Sequence, residues 1–281
     1  MVRRLFGPAK GEVAVIGQGT WEMESHDRGA VIAALRRGID LGMTHIDTAE
    51  MYGSGIVEKW IGEAITGRRE KVFLVSKVLP QNASRKGTVD ACEKSLARLK
   101  TEYLDCYLLH WPGRHPLKQT IEAFEELQRA GKIRSWGVSN FDVSDLEAAW
   151  KIAGAGRLAC NQVLYHLKER AIEHAVIPWC ERHDVAVVAY SPFGSGHFPE
   201  LRTQGGRVLQ EIADARGATG RQVALRFLVH RPSLFAIPKA VNEAHQVENA
   251  GAAKVVLTAA DLARIDQAFP RGPRRRKLPV L

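Results

Sequence analysis

No apolar run in the 281-residue chain approaches the length of a membrane-spanning helix, which argues against an integral membrane protein. Cysteine is scarce. Cys92, Cys106, Cys160 and Cys180 are scattered without paired spacing, which excludes a disulfide-dense scaffold or a Cys-rich zinc module. Cys106 and Cys160 lie inside apolar segments and read as reduced core thiols. The opening MVRRLFGPAKGEVAVIG is basic but lacks the apolar core and small-residue cleavage site of a secretory signal. Internal repeats, low-complexity linkers and domain boundaries are also missing. We therefore expect one domain over residues 1–281, in the cytoplasm.

Acidic residues are the minority charge: 31 Asp and Glu stand against 40 Lys and Arg, for a formal net charge of +9. Five of the positive charges fall in the tail PRGPRRRKLP, at Arg271, Arg274, Arg275, Arg276 and Lys277. Without helix-turn-helix signals or aromatic–basic interleaving, we expect a solvated tail rather than a nucleic-acid surface. A surface that attracts anionic ligands is the sharper alternative.

What is present is a rhythm. With 45% hydrophobic residues the chain can bury one sizeable core, and apolar β-rich runs alternate with segments of helical period. The expected strands are Ile16–Trp21, Thr44–Ala49, Val72–Val78, Tyr103–His110, Ser135–Asn140, Ala159–Tyr165, Val185–Ser191 and Leu234–Lys239. Between them, Val31, Leu35 and Ile39 recur every four residues behind a possible Asp27 cap. Val89, Cys92, Leu96 and Leu99, then Leu117, Ile121, Phe124 and Leu127, keep similar spacings. Further helices are expected at 55–66, 143–153, 171–183, 206–216 and 220–230, and after 243 and 258. Eight strands separated by helices predict a (β/α)8 barrel, because parallel strands need crossovers and an eight-fold set closes on itself. A doubly wound open sheet is second, since GQGTWE at 17–22 lacks the third glycine and the prompt helix of a phosphate-binding turn.

Three consecutive strands end in ionisable groups: HIDTA gives Asp47, LVSKV gives Lys77 and LLHW gives His110. In such barrels, catalytic groups come from the C-terminal strand ends and the loops beyond them. Alternation places Lys77 on the face of Val75 and Phe73, and His110 on that of Leu108 and Cys106. If those faces point inward, the three meet at the barrel mouth with Tyr52 above them. Asp47 then compensates Lys77, whose ammonium is expected to lower the Tyr52 phenol toward proton-transfer chemistry. A neutral His110 could orient and polarise a carbonyl. None of these groups supplies electrons, so the site needs a cofactor. Taken singly, each residue has an ordinary structural reading, as a helix cap, a snorkelling lysine or a rim aromatic. Four at ordered strand ends make that reading a poor one.

With GQGTW, IDTAEMYGSG, VSKV, LLHWPG, GVSNF, NQVLYH, AYSPFGSG and IPKAVNEAHQVEN in order, the sequence resembles the aldo-keto reductase family over nearly its whole length. It looks most like bacterial members that reduce methylglyoxal or carbonyls in general. The resemblance implies the barrel, with a short N-terminal hairpin and extra C-terminal helices. It implies Asp47, Tyr52, Lys77 and His110 as a catalytic tetrad with Tyr52 as general acid, and Trp21 and Trp111 in the substrate pocket. NADPH is the implied cofactor, with NADH possible. Its nicotinamide would meet Ser139, Asn140, Gln162 and the Tyr190 ring, with Gly19, Thr20 and Asp47 nearby. The turn carrying Ser191, Phe193 and Ser195 would follow the pyrophosphate, and Lys239, His245, Glu248 and Asn249 the adenosine phosphate end. Two departures bear on the 2′-phosphate grip: Ala240 and His245 stand where the family often shows Ser and Arg. The chain also stops soon after its final helix, which implies a more open pocket. A monomer is the family default.

Other readings use the same residues. An alcohol or sugar dehydrogenase linked to NAD would run this site in reverse. His45 and Asp47 form an H-x-D pair that, with His110, could ligate zinc in a hydrolase, although Lys77 would repel the ion. A non-catalytic redox-sensing subunit would bind the nicotinamide without turnover.

Overall fold

The computed structural model describes residues 1–9, 11–275 and 277–281, so Arg276 of the basic tail lies outside the described residues. The chain opens with an antiparallel hairpin, β1 (Arg3–Leu5) and β2 (Glu12–Ala14). Eight parallel strands follow, paired in chain order: β3 (Gln18–Gly19), β4 (His45–Asp47), β5 (Phe73–Val78), β6 (Leu104–Leu109), β7 (Ile133–Ser139), β8 (Leu158–Leu164), β9 (Ala186–Tyr190) and β10 (Leu234–Ala236). The two sheet edges are joined by Ala236 N–H to Val15 O at 2.9 Å, Gly17 N–H to Ala236 O at 2.8 Å and Gly19 N–H to Pro238 O at 3.1 Å. The expected (β/α)8 barrel is the fold. At that seam a Cβ on Gly19 would lie 2.5 Å from Ile237 O, so only glycine permits this approach. The first strand is shorter than the expected 16–21: Ile16 makes only an isolated bridge to Ala236, and the chain leaves the sheet at Thr20 and turns at Trp21.

The helices cover the outside: α1 (Arg28–Asp40), α2 (Ile56–Ala64), α3 (Arg85–Leu99), α4 (Leu117–Arg129), α5 (Val143–Ala153), α6 (Val176–Arg182), α7 (Gln204–Arg216), α8 (Gly220–Leu228), α9 (Glu243–Gly251) and α10 (Ala259–Ala268). Their starts follow sequence chemistry. Asp27 accepts the Ala30 N–H ahead of α1, and Asp142 forms a capping box with Asp145 ahead of α5. The buried stripes are the expected ones, including Val31, Leu35 and Ile39 on α1 and Ile121, Phe124 and Leu127 on α4. The single helix expected over 171–183 is instead a 3₁₀ turn, Ala171–His174, followed by α6. Ala175 (φ −145°, ψ −43°) lies outside the helical region and divides them. The four cysteines are free and buried.

The barrel floor is aromatic. Phe6, from the hairpin, packs against His45, Phe73 and Phe235 with ring centroids 4.9–5.7 Å apart. Nearer the mouth, a buried polar group fixes two helices to the sheet. Glu58 on α2 accepts from Ser76 on β5 at 2.6 Å and from the Arg98 guanidinium on α3 at 2.5 Å. Ser76 precedes Lys77, and α2 follows the turn bearing Tyr52, so this cluster sets one expected site element against another.

Because Glu58 is fully buried, Arg98→Met should strand a carboxylate at a cost of about 3–5 kcal/mol and lower Tm by roughly 10 °C. The Glu58→Gln/Arg98→Met pair should lose less than Arg98→Met alone. Calorimetry of wild type and both variants checks both statements, and a shift under about 2 °C for Arg98→Met would contradict the first.

Candidate active site

Asp47 ends β4 and Lys77 stands one residue before the end of β5, and the parallel register places Asp47 opposite Val75. Thr48 N–H continues that ladder to Val75 O at 2.9 Å, which fixes the height of the two side chains. Lys77 Nζ donates to Asp47 Oδ1 at 2.5 Å, to Thr48 O at 2.8 Å and to the Tyr52 hydroxyl at 3.4 Å. Gln162, on β8, donates to Asp47 Oδ2 at 2.7 Å. Asp47 compensates Lys77, as expected. Both side chains are almost completely buried, so these bonds replace water around each charge.

Burial is the largest influence on Asp47 and raises its pKa, while Lys77 and Gln162 pull the other way. Burial works against the Lys77 ammonium, but Asp47 and Tyr52 outweigh it and hold its pKa above the ordinary value. The bonding pattern suits an ammonium–carboxylate pair: every acceptor about Nζ is an oxygen, and both donors to Asp47 are nitrogens. The phenol corrects a sequence expectation. Tyr52 sits in the 3₁₀ turn Tyr52–Gly55 and is 8% exposed. Burial raises its pKa by more than Lys77 lowers it, so it is held above, not below, its ordinary value.

His110 follows β6, with its ring 6.0 Å from the Tyr52 ring and 4.8 Å from Trp111. Burial, then Lys77, push its pKa down to about 2, which makes it neutral as expected. Its Nδ1 is buried without a partner. His45 points into the barrel below, with its pKa pushed down to about 3 by burial and Lys77, and neither ring nitrogen is partnered. Among the described residues no three His, Cys, Asp or Glu side chains gather in a metal-binding group.

These groups open into a cavity of about 660 Å³. Gly19, Thr20, Trp21, Asp47, Tyr52, His110, Trp111, Ser139, Asn140, Gln162, Tyr190, Ser191, Phe193, Ser195 and Lys239 all line it, as the sequence reading expected. His245, Glu248 and Asn249 do not: they stand on α9, where His245 is exposed and Glu248 accepts from Thr219. The amide-bearing wall is ordered by its own bonds. Asn140 donates to His110 O at 3.2 Å and accepts from the Tyr190 hydroxyl at 2.9 Å. Asn161 braces the loop below through Phe141 O at 2.9 Å. Beyond Tyr190, Ser191, Gly194, Ser195 and Gly196 all have positive φ, a backbone form that turns N–H groups into anion-binding concavities. Amide readers, an aromatic shelf, a concave turn and Lys239 together fit a nicotinamide dinucleotide.

Some lining residues were not anticipated. Glu22, Met51 and Ile237 adjoin expected ones and could have been found by continuing each motif outward. Leu281 carried no local signal. It lines the cavity with its backbone beside Tyr190, whose phenol is pushed up to about 12 by burial. The tail is therefore not simply solvated: Arg271 pairs with Glu173, and Arg275 with Glu169 at 3.0 Å. Leu281 is thus part of the cavity lining.

A closed parallel barrel with a buried Lys–Asp–Tyr group beside a cavity at its C-terminal mouth has the architecture of a (β/α)8 enzyme. Residues 15–269 match the model of the aldo/keto reductase family. Methylglyoxal reductase YeaE of Escherichia coli is 48% identical over 91% of this chain and 90% of its own length. Glyoxal reductase of Bacillus subtilis is 34% identical over 91% and 88%. A solved aldo/keto reductase of Klebsiella pneumoniae, in complex with NADP and acetate, superposes with a TM-score of 0.93 at 44% identity over 100% of both chains. The chain belongs to the aldo/keto reductase family and is an oxidoreductase. No helix among the described residues is long and apolar enough to cross a membrane.

The two depressed histidines give a pH signature. Each has a folded pKa below its unfolded value near 6.5, so below pH 6.5 the unfolded chain binds more protons and stability falls toward about pH 3. Each histidine should steepen that fall by about 1.4 kcal/mol per pH unit. Denaturant titrations of wild type and His45→Leu at pH 7, 6 and 5 should differ by that slope, and parallel slopes would contradict it.

Proposed function

We propose that this protein reduces small aldehydes, ketones and α-dicarbonyls to alcohols with NADPH, using Tyr52 as the general acid. The observation that carries the reading is the phenol oxygen 3.4 Å from Lys77 Nζ at the mouth of the cavity. When bound, NADPH would supply the hydride to the carbonyl carbon. The protein's part is to hold the carbonyl and deliver the proton. Neutral His110 presents a ring that can donate to the carbonyl oxygen without competing as a cation. Tyr52, kept protonated by burial, gives its proton to the developing alkoxide, and Lys77, anchored by Asp47, stabilises the phenolate left behind.

Ser139, Asn140 and Gln162 suit the carboxamide, Tyr190 the ring face, and the turn bearing Ser191, Phe193 and Ser195 the pyrophosphate. Lys239 is the cation for the 2′-phosphate, with His245, Glu248 and Asn249 on α9 nearer the adenosine end. NADH, lacking that phosphate, would bind more weakly. Trp21 and Trp111 stand half-exposed at the rim and offer apolar walls without a fixed polar pattern. That suits small reactive carbonyls, the compounds for which the Escherichia coli and Bacillus subtilis relatives are named. The reading carries with it a single-domain, monomeric, cytoplasmic protein, and the buried free thiols suit a reducing compartment.

Tyr52→Phe should retain NADPH affinity and lose about 10²–10⁴-fold in kcat with methylglyoxal. Near-wild-type turnover would remove Tyr52 from the mechanism. In a panel of aldehydes, α-dicarbonyls, keto-sugars and steroid ketones, kcat/KM should be highest for the small dicarbonyls. A steroid ketone that matches methylglyoxal would overturn the substrate reading.

A further inference from the structure

Lys239 has a competitor for its charge within the cavity wall. Its Nζ lies 3.6 Å from Glu22 Oε2, and both residues line the cavity, Lys239 after β10 and Glu22 after β3. Glu22 is held there by its backbone. It adopts the left-handed region (φ 59°, ψ 22°), a conformation that disfavours side chains. The segment is closed on both sides by Met23 N–H to Thr20 O at 3.2 Å and by the Ser25 hydroxyl to Glu22 O at 2.7 Å. The carboxylate therefore faces Lys239 because a folded turn puts it there.

We propose that Glu22 sets cofactor discrimination by competing with the 2′-phosphate of NADPH for Lys239. The inference rests on the reading of Lys239 as the phosphate cation. A lysine offers one compact charge, and a carboxylate and a phosphate cannot both take its full strength. The phosphate wins because it carries nearly two charges against one. It first has to displace Glu22, and both side chains are partly exposed, 35% for Lys239 and 55% for Glu22. An exposed pair of this kind costs its displacer roughly 2- to 5-fold in affinity. NADH does not meet this cost, so Glu22 narrows the preference for NADPH and eases NADP⁺ release.

Dissociation constants for NADPH and NADH, by fluorescence titration, test this in wild type, Glu22→Gln, Lys239→Met and the double variant. In Glu22→Gln the NADPH-over-NADH preference should rise roughly 2- to 5-fold, and the rise should shrink with added salt. In the Lys239→Met background, Glu22→Gln should leave the preference where it was. An unchanged or smaller preference in Glu22→Gln, with Lys239→Met still losing preference, overturns the competition and leaves Lys239 as the phosphate cation. The smaller preference would mean that Glu22 orders Lys239 for the phosphate. If Lys239→Met keeps the wild-type preference, the phosphate-site reading itself falls, and the competition with it.

Discussion

The ion pair between Lys77 and Asp47 is the constraint around which the rest is arranged. Each charge taken out of water costs several kcal/mol, and the attraction offsets that cost only when geometry is tight and the remaining donors and acceptors are satisfied. Here Lys77 finds Asp47, Thr48 O and the Tyr52 hydroxyl, and Asp47 finds Lys77 and Gln162. Those partners come from the paired strands β4 and β5, from the turn after β4, and from β8, which lies four strands away in the sheet order. A closed barrel brings β8 opposite β4 at a fixed distance. The buried Glu58–Ser76–Arg98 group then holds the segment after Tyr52 to the strand of Lys77. Closure at Gly17 and Gly19 is thus part of the site, because it holds the strand ends in place.

A single buried ammonium also organises the protonation states around it. It adds to burial in keeping His45 and His110 neutral and opposes burial at Tyr52 and Asp47. The result is a neutral ring and a protonated phenol beside one cation. Such a site can donate to a carbonyl oxygen twice, once as a hydrogen bond and once as a proton. A histidinium at position 110 would instead add a second positive charge beside Lys77 in the same low-dielectric volume, which the protein avoids.

Much of this was legible in the sequence because strand ends are local. The alternation of Phe73, Val75 and Lys77 put them on one face, and with that face inward three ionisable residues at successive strand ends meet at the mouth. The barrel itself followed from the strand–helix rhythm, and capping residues such as Asp27 and Asp142 marked helix starts. What was misread depends on the environment of a group more than on its neighbours in the chain. The phenol pKa turned on how deeply Tyr52 is buried, which no spacing reveals. The break at Ala175 is a backbone choice inside an apolar run. Leu281 lines the cavity, and Arg271 and Arg275 pair with Glu173 and Glu169 about a hundred residues earlier, partners that no local pattern announces.

The depth of each ion pair separates what the site holds fixed from what it lets move. Asp47–Lys77 is buried, so breaking it would leave a bare charge in the interior. Glu22–Lys239 and Arg275–Glu169 are exposed on at least one side, so water replaces either partner cheaply. The first kind of pair sits beside the phenol proposed as the proton donor, where small displacements are costly. The second kind sits around the rim, where a cofactor has to enter and leave. A rigid interior under a loosely fastened rim suits an enzyme that must hold one carbonyl oxygen in place and release a large anionic cofactor at every turnover.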